Sequence, residues 1–215
     1  MENMRSSSGL IRNFIQNLLI KREFAKIRKP STVLSFLYDV EEIYRFRAAE
    51  ALGYLCKGDV ARNFILRLFW HLNDESGAYC IGAPLGIAEI GRANPEVFES
   101  FKNKFVSLLD DWEVERKYVA YGIGRTAHIV KSAYPDPVEK LSEKIEEINS
   151  PEFTVYAVYA LRKLYFSGVK RAEKLMNEII ARFSMDEREI YFYDENQITK
   201  RSLCDFLREF SKEKE

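Results

Sequence analysis

Apolar side chains recur along this chain at helical spacing in a succession of segments, each closed by a short polar turn. In the first, residues 9–28, Leu10, Ile11, Phe14, Ile15, Leu18, Leu19 and Ile20 form a broad apolar face. Ser8 is placed to cap it and Pro30 to stop it, so residues 1–29 read as an N-terminal capping helix. Paired segments follow: 31–38 with 43–55, 60–72 with a helix ending near Gly91, 95–109 with 114–130, and 138–148 with 152–166. A fifth first helix is predicted over 170–183 and a closing helix over 198–210. Asp39-Val40-Glu41-Glu42, Asp110-Asp111 and Asn149-Ser150-Pro151 supply turns, and Gly58, Gly168 and Tyr134-Pro135-Asp136-Pro137 separate the pairs.

The second members of the pairs are versions of one another. RAAEALGYL from Arg47, GAPLGIAEI from Gly82, YVAYGIGRT from Tyr118 and YAVYALRKL from Tyr156 align on Ala48, Ala83, Val119 and Ala157, in steps of 35, 36 and 38 residues. A period in this range marks stacked helical hairpins. The predicted fold is all-α, a right-handed α-solenoid of about ten or eleven helices in one domain spanning 1–215. Its parts are a cap (1–29), repeats (30–183), and an irregular turn with a closing helix (184–215). Small residues such as Ala49, Gly53, Gly86, Gly122 and Gly124 allow close helix approach. Leu52, Ile87, Ile123 and Leu161 hold one shared position and predict a buried ridge.

These units resemble HEAT-like repeats, the type also called phycobilisome-lyase HEAT-like, over about residues 30–183. Such units place an Asp in the turn and a basic residue six positions on, as Asp39 and Arg45, and Asp110 and Arg116, do here. The resemblance implies a structural ladder between repeats, interrupted where Cys80 and Val155 stand at the basic position. The lyase name is a weak guide to chemistry, because a repeat is shared more widely than any activity.

Charge and composition narrow the functional classes. Basic and acidic residues balance at 33 each, which argues against a general nucleic-acid binder. The three cysteines, Cys56, Cys80 and Cys204, are widely spaced, and MENMRSSSG has no apolar core, so a reduced, cytoplasmic, membrane-free setting is expected. Charged residues at 31% with only two glutamines resemble thermophile composition. No nucleophile elbow, phosphate loop or paired metal-ligand motif is present; no catalytic residue, metal or cofactor is assigned.

The most unusual segment is 70–91, WHLNDESGAYCIGAPLGIAEIG. Pro84 forces the helix there to kink near Cys80 or to begin late. Trp70, His71, Asn73, Asp74, Glu75, Ser76, Tyr79 and Cys80 crowd around the irregular backbone as a candidate binding site, or as caps for distorted helix ends. WHLNDESG followed by AP is similar to a motif of prokaryotic HEAT-like proteins and carries no activity with it. The acidic run 184–199, with Tyr191, Phe192 and Tyr193, reads as a partner-binding loop or as a turn whose aromatics cover the last hairpin. The leading expectation is a non-enzymatic, protein-binding scaffold. Arg47, Glu50, Tyr54, Glu89, Tyr121, Arg125, Tyr159 and Lys163 are its expected exposed face. An enzyme or cofactor-handling protein with a site in 70–91 is the alternative, and nucleic-acid binding the third.

Overall fold

The structure, a computed structural model, describes the backbone of residues 2–72 and 79–212 and the side chains of 9–72 and 79–211. The chain is mostly helical, about 71%, and divides into two compact units, Met1–Val97 and Phe98–Glu215. Thirteen α-helices occur among the described residues, more than expected, because several predicted helices are split.

In the first unit α1 (Glu2–Ile20) is followed by a 3-10 turn at Phe24–Lys26. The helix starts before Ser8, which lies inside it rather than capping it, and it ends well before residue 28. Arg22 takes a left-handed backbone (φ 54°), and its N–H bonds to the Leu19 carbonyl while that of Glu23 reaches Leu18. This pair of bonds satisfies the orphan carbonyls of the last turn, a Schellman ending built on arginine instead of glycine. Ile15, Leu18 and Leu19 of α1 are buried.

Next come α2 (Ser31–Leu34), a 3-10 turn (Ser35–Tyr38) and α3 (Glu42–Leu55). The turn between them is closed by the Asp39 carboxylate, which accepts the Glu41 N–H at 3.0 Å. Arg45 donates to the backbone carbonyls of Asp39 and Val40, while the Asp39 carboxylate pairs with Arg12. These Arg45 bonds stay within one turn, residues 39–45, and are not the rung between successive helix pairs that the resemblance implies. After α4 (Gly58–Leu72), α5 (Ala83–Ala93) begins late with Pro84 in its first turn, where the missing N–H costs nothing. α3 and α5 lie side by side. A Cβ on Gly53 would sit 2.6 Å from the Glu89 carbonyl oxygen, so the contact exists only because residue 53 has no side chain. α6 (Pro95–Phe98) follows.

The predicted helix 95–109 is broken at residues 99–101 and continues in the second unit as α7 (Lys102–Ser107) and a 3-10 turn (Leu108–Asp110). The predicted helix 114–130 is likewise split into α8 (Arg116–Arg125) and α9 (Ala127–Val130). At the break the Thr126 hydroxyl bonds back to the Gly122 carbonyl, 2.7 Å away. The turn before α8 belongs to Asp111, which accepts the Glu113 N–H as Asp39 accepts that of Glu41. Asp110 bonds instead to Lys140 at 2.8 Å and Lys144 at 3.2 Å, and Arg116 to Glu147 at 3.0 Å. The Asp110–Arg116 relation implied by the resemblance is therefore replaced by bonds to the following helix.

α10 (Pro137–Ile148) is capped by Asp136, and α11 (Pro151–Phe166) by Ser150. α11 lies against α8, and α12 (Arg171–Arg182) against α11. The segment expected as an irregular turn is an antiparallel hairpin, β1 (Glu189–Tyr193) with β2 (Ile198–Ser202), in register Glu189↔Ser202 to Tyr193↔Ile198. The closing helix α13 (Leu203–Lys212) consequently begins after residue 198. β-Branched and aromatic residues in EIYFY and ITKRS favour strands, and the Asp194 carboxylate closes the turn on the amides of Asn196 and Gln197. Leu203, Phe206, Leu207 and Phe210 face inward as expected. So does the shared position: Leu52, Ile87, Ile123 and Leu161 are fully buried in their own units.

Candidate functional site

The predicted cluster at 70–80 is brought together only in part. Asn73, Asp74, Glu75 and Ser76 lie outside the described residues. Trp70 is exposed on α4 and meets the His71 ring edge-on. Arg67 donates from Nε to His71 Nε2 at 3.3 Å, and His71 Nδ1 lies 3.1 Å from the Tyr38 hydroxyl. Tyr38 in turn bonds to Cys80. Burial pushes the Cys80 thiol up to about 12, against bonds from Tyr38 and the amides of Gly82 and Ala83. Such a thiol is protonated at neutral pH and is no nucleophile. Tyr79 is half-buried beside it. Tyr38, His71 and Cys80 thus act together as a polar seam that ties α4 and the start of α5 to the turn at Ser35–Tyr38. The N–H of Gly82 completes it by bonding to the Leu37 carbonyl at 3.0 Å.

The face expected to be open is largely covered. Arg47, Glu50, Glu89, Tyr121 and Tyr159 are buried; Tyr54 is exposed and Lys163 partly so. In the first unit Arg22, held out by its left-handed backbone, bonds to Glu50 at 3.1 Å, and Arg47 does so from the other side at 3.0 Å. In the second unit the hairpin does the covering. Phe192 packs on Tyr156 and Tyr159, Tyr193 on Tyr121, and the Tyr193 N–H donates to the Tyr156 hydroxyl at 3.0 Å.

At the hairpin tip Glu195, also left-handed (φ 72°), is gripped by Arg125, by Lys163 at 2.8 Å and by the Tyr159 hydroxyl at 2.8 Å. Burial alone would raise its carboxyl; the charge of Arg125 and the bonds from Lys163 and Tyr159 outweigh this and hold it below the ordinary value. Burial and then the Glu195 charge push the Tyr159 hydroxyl well above its own. Beside this cluster, α11, the hairpin and α13 line a half-open cavity of about 330 Å³. Phe192, Phe206 and Phe210 contribute aromatic walls; Arg162, Lys163 and Arg201 contribute cations; Asp194, Glu195 and Glu209 contribute acids. Arg162, Arg201 and Glu209 carried no sequence signal, because nothing in a linear pattern brings a helix at 162 to a strand at 201.

On α1 an apolar stripe is left open. Leu10, Ile11 and Phe14 on α1 are 68%, 62% and 58% exposed, although they prolong the stripe that Ile15, Leu18 and Leu19 bury. No helix among the described residues is long and apolar enough to cross a membrane.

No family model matches the chain, and no solved structure does. It is 60% identical over 185 residues to an uncharacterized protein of Archaeoglobus fulgidus, an alignment covering 86% of this chain and 97% of that one. A likeness of that strength over nearly the whole of the relative places this chain in the same protein family as that Archaeoglobus fulgidus protein.

Proposed function

We propose that the chain is a HEAT-like helical-repeat module that binds another protein and carries no chemistry of its own. The observation that carries this reading is the open stripe of Leu10, Ile11 and Phe14. Three adjacent large apolar side chains on one helix form the kind of patch that a partner covers. An apolar groove or helix on the partner suits it, with Leu10, Ile11 and Phe14 as anchors.

The repeat reading is supported by three features. Ala48, Ala83, Val119 and Ala157 are all fully buried. Second helices lie against second helices inside each unit, α3 on α5 and α8 on α11. Polar bonds join residues about one repeat apart, as in Asn94 to Cys56, Lys117 to Glu152 and Arg171 to Asp136.

The test is affinity capture from the native source with the wild type and with a Leu10→Ser/Phe14→Ser variant. A protein retained by the first at high salt and lost by the second is the expected result, with unchanged melting of the variant. Equal retention by both, or none by either, overturns the reading.

A further inference from the structure

We infer that the cavity between α11, the hairpin turn and α13 binds a small organic anion, a carboxylate or phosphate monoester carried on an aromatic or apolar body. Its volume of about 330 Å³ suits a small molecule. Its walls supply both parts of such a ligand. Phe206 and Phe210 both meet Phe192, with centroids 5.4 and 5.6 Å from its own, and the three rings form an aromatic surface for the body.

The head group is met by guanidinium. Arg201 lies over the Phe206 ring at 4.8 Å and Arg162 over Phe210 at 5.8 Å. A guanidinium stacked on a ring keeps its N–H edge for a coplanar oxyanion. In this structure the Glu209 carboxylate takes that place on Arg201, at 2.6 Å. Both side chains of that pair are nearly half exposed, so an incoming oxyanion exchanges with Glu209 at little cost.

The charge balance favours an anion. The lining holds three cations and three acids, but Glu195 is also held by Arg125, a fourth cation from α8 outside the lining. Asp194 is committed to the amides of Asn196 and Gln197. Glu209 is therefore the acid that competes directly with a ligand for Arg201.

The experiment is calorimetric titration of the full chain at low salt with phenyl phosphate, benzoate, inorganic phosphate and benzylamine. Saturable binding of phenyl phosphate or benzoate is expected, the stronger of the two naming the head group, with inorganic phosphate weaker and benzylamine silent. Arg201→Gln should weaken binding by about tenfold or more, the value of a charge-assisted bidentate contact. Glu209→Gln should tighten it by about threefold or more, by removing the internal competitor. That tightening is what a purely structural Arg201–Glu209 pair would not produce. Absence of saturable binding of both aromatic anions, benzylamine binding as well as they do, or Glu209→Gln leaving affinity unchanged would each overturn the proposal. Amide shifts centred away from Asn196 and Arg201 on titration would overturn it as well.

Discussion

Gly53 and Gly9 show how one residue type carries opposite consequences. Both lie in helices, where alanine is intrinsically better by about 0.5–1 kcal/mol. Nothing surrounds Gly9 within 4 Å, whereas a Cβ at 53 would collide with the Glu89 carbonyl. Gly9→Ala should therefore hold or raise stability, and Gly53→Ala should lower it by about 1–3 kcal/mol in urea unfolding. Equal effects would contradict the close approach of α3 and α5. Glu195 gives the second prediction at this scale. Its folded carboxyl is held below the unfolded value, so its contribution is complete above about pH 4.3 and is lost as pH falls through the folded pKa. Acid unfolding followed by tyrosine fluorescence should lose part of its dependence in that window in Glu195→Gln, which should also be less stable at pH 7.

Among the elements, the β1–β2 hairpin is the most consequential. Two strands alone are marginal in water, so this hairpin depends on what it covers. Phe192 touches Tyr156, Tyr159, Phe206 and Phe210, and so joins the hairpin to both α11 and α13. Phe192→Ala should cost about 3–5 kcal/mol, as other large core truncations do. Hydrogen exchange should show the hairpin and α13 losing protection before α8. Uniform loss across the second unit would mean the hairpin is not a separable cover. The strand signal was present in EIYFY and ITKRS, but four acidic and polar residues between them, and the aromatic content of the run, also fit a loop. α1 ended early for a reason no helix rule anticipates: Arg22 accepts a left-handed backbone, and it bonds to Glu50 from there.

Across the whole molecule, stability rests on buried apolar positions shared by the four similar sequence segments and on charged bonds between helices. Leu52→Asp places an unpaired charge in a fully buried site and should abolish folding, whereas Leu66→Asp, on an exposed part of α4, should be tolerated. Circular dichroism on the two variants distinguishes them. The bonds of Asp110 with Lys140 and Lys144, and of Glu147 with Arg116 and Lys144, form a network rather than isolated pairs. Networks gain weight as temperature rises, so together with the composition they predict a melting temperature above about 65 °C, beyond the usual mesophilic range. A value below about 55 °C would count against this reading.

Helical character and the buried positions could be read directly from the chain, because both depend on local periodicity: 3.6-residue spacing marks a face, and the aligned Ala48, Ala83, Val119 and Ala157 are fully buried in each of the four similar segments. Pro84 left a kink near Cys80 and a late start of the helix both open, and α5 takes the late start. Which polar residues meet was decided only in three dimensions. Arg47, Glu50, Tyr121 and Tyr159 have the spacing of an exposed face, yet Arg22 and the hairpin close over them. Cys80 sits in a segment that suggests chemistry, and burial removes its reactivity. The cavity needs residues 159, 192, 201 and 209 at one place. Partners so far apart along the chain leave no mark in its periodicity, since it is the packing of α11, the hairpin and α13 that brings them together.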